Sequence, residues 1–189
     1  VVTPIDGWTT RTPTWVGATA LTADAAEAIV ALDHGTVYVA PARGIASRTH
    51  GATHAALLDI DSDFRMDAVV GGEHGLAVLQ QDAEGQWRDV TAATALPQAD
   101  LTMAITGVWA ADVDLDGDLD IVVARRDGPA TVLRNNGDGT FLSQPSPVVC
   151  SGWRAFAWAD VDGDGVPDAA CLGQAGDVRV ALNLRGGAF

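Results

Sequence analysis

The chain has 189 residues, 48% hydrophobic and 19% charged, with a formal net charge of −14. That balance suits a folded chain with a sizeable core and excludes a disordered one. Eleven scattered basic residues against 25 acidic ones exclude a nucleic-acid partner, and no apolar run is long enough for membrane insertion.

In chain order, Gly7-Trp8-Thr-Thr resembles the later Gln86-Trp87-Arg-Asp, so residues 1–13 read as an outer strand. Residues 14–50 read as a degenerate repeat: Ala28–Gly35 aligns with Ala68–Gly75, but the loop Thr19–Glu27 has lost the acidic pattern seen downstream. Three regular repeats follow, over about 51–98, 103–147 and 152–189. Each has an apolar run (Ala55–Leu58, Ile105–Ala111, Ala155–Ala159), an acidic loop, and a second run (Ala68–Val70, Ile121–Ala124, Ala169–Leu172). A turn with Gly75, Gly128 or Gly176 then leads to a third run (Leu76–Leu79, Ala130–Leu133, Val178–Leu182). A fourth strand opens on an aromatic, Trp87, Phe141 or Phe189. Short β-rich runs joined by glycine turns read as antiparallel meanders.

The acidic loops start at Asp59, Asp112 and Asp160, 53 and 48 residues apart. That period is close to the roughly 40–50 residues of one four-stranded propeller blade. The expected fold is therefore all-β: a β-propeller of four-stranded antiparallel blades, about four in a single unit over residues 1–189. It is either a closed small propeller, with the N-terminal strand completing the last blade, or a piece of a larger one. The piece is preferred, because propellers have roughly four to eight blades.

The loops read DIDSDFRMD, DVDLDGDLD and DVDGDGVPD, and they hold 13 of the 25 acidic residues. Like charges at that density repel unless a cation neutralises them, and hard oxygen donors in this number favour Ca²⁺ over Mg²⁺. The candidate ligands are Asp59, Asp61, Asp63 and Asp67; Asp112, Asp114, Asp116 and Asp120; Asp160, Asp162, Asp164 and Asp168. The seventh positions, Arg65, Asp118 and Val166, are expected to offer backbone carbonyls. The loops start like EF-hands but lack the glutamate at position 12, where Val70, Val123 and Cys171 stand. The ninth-position Asp therefore closes each site. Gly117 and Gly165 permit a sharp turn at position 6; Phe64 stands there in the first loop, beside the cationic Arg65, which predicts weaker binding. Two Ca²⁺ are expected, with a third held less tightly.

Cys150 and Cys171 either form one disulfide or remain buried thiols; a hairpin turning near Asp164 places Cys171 opposite Ala157. His34 and His74 precede turn glycines and read as turn residues. His50 and His54 are four apart, but on a loop, which argues against zinc. The tryptophans Trp8, Trp15, Trp87, Trp109, Trp153 and Trp158 read mainly as packing between blades. Nothing presents a nucleophile elbow, a phosphate loop or a triad, so no enzymatic activity is expected.

The run Asp112–Val123 followed by Asn135-Asn-Gly-Asp-Gly-Thr-Phe141 resembles FG-GAP/VCBS repeats, the blades of integrin-α-like propellers. Trp87–Leu96 resembles the inter-blade linker of proteins with ASPIC/UnbV domains, cartilage acidic protein among them. The resemblance covers residues 50–189 well and departs in the first repeat. It implies structural Ca²⁺, an extracellular, cell-surface or periplasmic location, and adhesion, ligand binding or scaffolding. The partner is then a protein or carbohydrate, with self-association through open blade edges as a further possibility. An accessory domain of a secreted enzyme and a lectin-like propeller are the alternative roles.

Overall fold

The computed structural model describes residues 14–20, 27–33, 36–40, 44–48, 51–150 and 152–189. The strand expected over 1–13, most of the first repeat's acid-poor loop, Trp8, His34 and His50 lie outside the described residues. Four antiparallel sheets follow one another along the chain. The first contains β1 (Trp15–Ala20), β2 (Glu27–Asp33), β3 (Thr36–Ala40) and β4 (Gly44–Arg48). The second contains β5 (Ala52–Leu58), β6 (Asp67–Gly72), β7 (Gly75–Gln81) and β8 (Trp87–Asp89). The third contains β9 (Ile105–Ala111), β10 (Asp120–Arg125), β11 (Thr131–Asn135) and β12 (Phe141–Pro145). The fourth contains β13 (Trp153–Ala159), β14 (Asp168–Gly173) and β15 (Val178–Ala181), and no strand opens on Phe189 among the described residues. Each sheet is an up-and-down meander in sequence order, and the first strands β1, β5, β9 and β13 lie next to one another.

Burial explains the run-like rather than alternating sequence of the second strands. Every residue of β6 is buried, and nearly all of β10, because a neighbouring sheet covers each face. Successive side chains point to opposite faces. Val69 accordingly packs toward the third sheet with Val78, Ile105, Val108 and Ile121, while Val70 packs toward the first with Trp15, Ala68 and Leu79. The third sheet repeats the division: Ile121 and Val123 face backward, whereas Val122 and Val132 face the fourth sheet's Trp153, Ala169 and Cys171. Each such valine, leucine or isoleucine contributes about 1.5–3 kcal/mol by leaving water.

The connection between the second and third sheets carries a 3₁₀ turn (Thr91–Ala93) and a short helix α1 (Gln98–Thr102), neither of which the β-periodicity predicts. Hydrogen bonds from both flanking sheets fix the turn. The Thr91 hydroxyl accepts a hydrogen bond from Val78 N at 2.9 Å, and Thr94 O accepts one from Phe141 N at 2.9 Å. The linker thus ties the two sheets together, and Asp100 on α1 pairs with Arg125.

Cys150 and Cys171 form a disulfide with their Cα atoms 6.2 Å apart. The expected register is corrected by one residue: Cys171 lies opposite Phe156, and Ala157 opposite Ala170. The turn is centred between Gly163 and Asp164, not on Asp164. The disulfide joins the segment entering β13 to the middle of β14.

Candidate metal centres in the Asp loops

Each acidic loop connects the first two strands of its sheet, and its ninth residue is the first residue of the second strand. That aspartate is a buried clamp. The Asp67 carboxylate accepts hydrogen bonds from Ile60 N at 3.0 Å and Gln81 N at 2.8 Å. Asp120 accepts from Val113 N at 3.0 Å and Asn135 N at 2.9 Å. Asp168 accepts from Val161 N at 2.9 Å and Asn183 N at 2.8 Å. The start of the loop and the end of the third strand are thereby fastened to one side chain.

The first-position aspartates hold the turn. Asp59 accepts from Asp63 N at 3.1 Å and Phe64 N at 2.8 Å; Asp112 accepts from Asp116 N at 3.1 Å and Gly117 N at 3.2 Å. Asp160 accepts from Gly163 N at 2.7 Å and Gly165 N at 3.0 Å. In each loop the residue at position 6 has positive φ: Phe64 at 65°, Gly117 at 100° and Gly165 at 84°. So does position 4, with Ser62 at 59°, Leu115 at 62° and Gly163 at 82°. Left-handed geometry costs a residue with a side chain about 1–2 kcal/mol. The first loop carries that strain twice, the second once and the third not at all. Glycine at position 6 flags the geometry in the sequence; position 4 carries no such signal because only one of its three residues is glycine.

The folded loops gather positions 1, 3 and 9. One carboxylate oxygen from each of Asp59, Asp61 and Asp67 lies within 4.8 Å of the others, and the same holds for Asp112, Asp114 and Asp120, and for Asp160, Asp162 and Asp168. Position 5 stands outside these groups. Asp63, Asp116 and Asp164 each accept a hydrogen bond from the backbone N–H two residues on, at 2.9, 3.1 and 2.8 Å. Position-7 side chains point elsewhere: Val166 is buried, Arg65 pairs with Asp63, and Asp118 lies against the Gly137 turn.

The donor set fits a hard cation. Asp61 Oδ1 and Asp114 Oδ1 are buried without a hydrogen-bond partner. An unpaired buried carboxylate oxygen is costly, and a cation bound by the neighbouring aspartates would remove that cost. Burial pushes Asp67 up to about 7 and Asp120 up to about 6, against the lowering effect of their backbone hydrogen bonds. Asp61 is raised by burial and by the charges of Asp63 and Asp59. Asp168 is held below the usual carboxylate range by the N–H groups of Asn183 and Val161. Its side chain is as shielded as its counterparts, but no following sheet covers the far face of its own among the described residues, so its hydrogen bonds outweigh desolvation.

Protein cations already meet two of the loops. Arg134, on β11, forms ion pairs with Asp114 and, at 3.0 Å, with Asp116. At the equivalent position in the second sheet Gln80 donates to Asp61, and in the fourth sheet the residue is Leu182. Sequence reasoning picked out Arg65 but missed Arg134. The sequence carried no signal for it, because the equivalent positions hold the uncharged Gln80 and Leu182.

A second feature lies on the first strands. An open cavity of about 530 Å³ is lined by Trp15, His54, Trp109, Arg154, Phe156 and Trp158, among others. Trp109, Phe156 and Trp158 form a continuous aromatic row, with successive ring centroids 5.8 and 6.3 Å apart. Burial lowers the His54 pKa below the ordinary imidazole value. His74 sits in the β6–β7 turn.

Meander sheets stacked face to face, with their first strands adjacent, define a β-propeller. The FG-GAP-like repeat family matches residues 59–123 and again residues 112–171, and the chain belongs to that family. A solved lectin of Agrocybe aegerita, described as recognising non-reducing terminal N-acetylglucosamine, has a similar structure, with 25% identity and a TM-score of 0.65. The similarity covers 97% of this chain and 52% of the lectin, so the chain spans about half the lectin's length. No curated protein matches.

Proposed function

We propose that this chain is a calcium-stabilised, non-enzymatic binding or scaffolding module that works outside the cytoplasm. The observation that carries the reading is the gathering of three aspartates in each of three equivalent loops, with the buried oxygens of Asp61 and Asp114 unpaired. All-oxygen donor sets in flexible loops favour Ca²⁺, which tolerates irregular geometry better than Mg²⁺. The ion would neutralise the acidic cluster and fasten the loop between the first two strands. Carbonyls of Arg65, Asp118 and Val166 would complete the sets. Asp160–Asp168 is the tightest site, free of positive-φ strain on a side chain and of a competing arginine. Asp112–Asp120 follows, and Asp59–Asp67 is the weakest. The Cys150–Cys171 disulfide supports an oxidising compartment: the cell surface, the periplasm or the extracellular space.

Thermal unfolding in Ca²⁺ and in EDTA, with a count of bound metal, tests the reading. A rise in melting temperature with two or three ions per chain is expected. An unchanged melt with no bound metal would reduce the loops to acidic turns and remove the calcium reading.

A carbohydrate ligand is the second reading, favoured by the similar lectin and by the aromatic row lining the cavity. Sugar rings stack on exposed aromatic faces, and Arg154 and His54 would supply polar contacts. A glycan array in Ca²⁺ tests this; binding that Trp158→Ala abolishes supports it, and a flat array removes it.

A further inference from the structure

Asn135, at the end of β11, is 1% exposed, and its polar groups reach three separate places. Its backbone N–H donates to the Asp120 carboxylate at 2.9 Å. Its side-chain Nδ2 donates to Ile60 O at 3.1 Å, across to the loop of the second sheet and 75 residues earlier in the chain. Its Oδ1 accepts from Gly137 N at 3.0 Å, which fixes the amide in one orientation. Ile60 stands between two candidate ligands, Asp59 and Asp61, and its own N–H donates to the third, Asp67, at 3.0 Å. A short relay therefore joins two of the aspartate groups: Asp67 to Ile60 N–H, Ile60 C=O to the Asn135 amide, Asn135 N–H to Asp120. All three hydrogen bonds are buried, so breaking one leaves a polar group without water or partner. The relay lies between the second and third sheets, which have the first and fourth sheets on their outer sides, so it does not depend on where the chain begins or ends.

The next junction is built differently from the same residue type. Asn183 takes the equivalent place in the fourth sheet, and its N–H donates to Asp168 at 2.8 Å. Its Nδ2, however, donates to Pro167 O at 3.2 Å, within its own loop. The residue of the third sheet that corresponds to Ile60 is Val113, and the Asn183 amide is turned away from it. Asn183 thus clamps one loop, whereas Asn135 holds two.

We propose that the Asn135 side chain couples the first and second Asp loops, so that these two take up their cations cooperatively while the third fills by itself. The proposal rests on the calcium reading above. A cation held by Asp59, Asp61 and Asp67 fixes the Ile60 peptide between its ligands. The Ile60 carbonyl then holds the Asn135 amide, and the Asn135 N–H holds Asp120 in place for the second loop. The second ion meets a carboxylate that is already ordered, and so bears less of the ordering cost. Linkage makes the effect reciprocal: filling the second loop tightens the first by the same factor. Because its amide acts through Ile60, Asn135 is a positioning residue.

Ca²⁺ titration of the whole chain, followed by amide NMR, reads each loop separately through Phe64, Gly117 and Gly165, whose N–H groups donate to the first aspartate of their own loops. Asp120→Asn should weaken binding at the Phe64 loop by about fivefold or more, the lower end of ordinary coupling, and leave the Gly165 loop unchanged. Asp168→Asn should leave the Phe64 and Gly117 loops unchanged. Asn135→Ala keeps every charge and the backbone N–H, and in that background Asp120→Asn should no longer affect the Phe64 loop. Asn135→Ser, also too short to reach Ile60 O, gives the same comparison if the alanine variant does not fold. In EDTA, Asn135→Ala should speed hydrogen exchange at the Ile60 amide severalfold and leave Val161 as it was, which reads the relay without metal. Ions that bind with the same affinity at the Phe64 loop in wild type and Asp120→Asn overturn the coupling and leave the calcium reading standing. An equal loss caused by Asp168→Asn, or a loss that persists in Asn135→Ala, overturns the route through Asn135. No bound ion at any loop overturns the calcium reading and the coupling with it.

Discussion

Replacing Asp120 by asparagine separates the two roles of the ninth-position carboxylate. In the metal-free protein the ionised Asp120 is unfavourable, its pKa pushed from 3.8 to about 6. At neutral pH that shift corresponds to about 3 kcal/mol against the folded state. Asparagine removes this cost, but it retains one acceptor for two N–H groups, those of Val113 and Asn135. Leaving one of them buried without a partner costs about 1–3 kcal/mol. The terms oppose each other, so the metal-free variant should lie within about 2 kcal/mol of the wild type. With Ca²⁺ at a hundredfold excess over its dissociation constant, a filled loop adds about 2.7 kcal/mol, which the variant forfeits at this site. Urea unfolding in EDTA and in Ca²⁺ at neutral pH reads both differences. An equal Ca²⁺-dependent gain in the two proteins would refute the ligand role, and a large loss in EDTA would refute the offset. Asp168→Asn is the contrast: its carboxylate is already favoured by its hydrogen bonds, so this variant should be destabilised even in EDTA.

Arg134→Leu gives the middle loop the residue found at position 182 and removes the cation that competes for Asp114 and Asp116. Calorimetry should show Ca²⁺ binding tightened severalfold there, with unchanged affinity the contrary result. Phe64→Gly relieves a side chain held at φ 65°, and should raise metal-free stability by up to about 1 kcal/mol after the added chain entropy of glycine; Phe64→Ala, still strained, should not. In EDTA the raised pKa values of Asp67 and Asp120 mean that the folded state binds more protons than the unfolded state above pH 3.8. Their contribution is complete below that pH and is lost as pH rises through about 6 and about 7, so stability should fall over this window; saturating Ca²⁺ should flatten the profile. Cys171→Ser opens a bridge with a sequence separation of 21 residues, and should cost about 3 kcal/mol in denaturant unfolding.

Much of the architecture was legible because the repeats state it three times. The spacing of the acidic loops gave the sheet period, and the apolar runs gave the strands. The carboxylates at positions 1, 3 and 9 do come together. Position 5 is engaged differently in the folded loop, where Asp63, Asp116 and Asp164 accept hydrogen bonds from the backbone two residues on. Left-handed geometry at Ser62 and Leu115 left no mark, because neither residue type signals it. The cysteine pairing stayed open, since a one-residue shift in the β13–β14 register changes what Cys171 faces.

The sequence by itself determined the local parts: strands, turns, the repeat and the loops that concentrate negative charge. These depend on residues within one blade, where side-chain alternation and glycine positions act over a few bonds. Only the tertiary structure decided which cation meets which loop, as with Arg134 and Asp114, and which apolar faces are covered. Val78 and Val180 occupy the same place in their strands, yet one is buried and the other is open. The difference lies in the sheet packed against each, and such contacts are set by the stacking of blades distant in the chain.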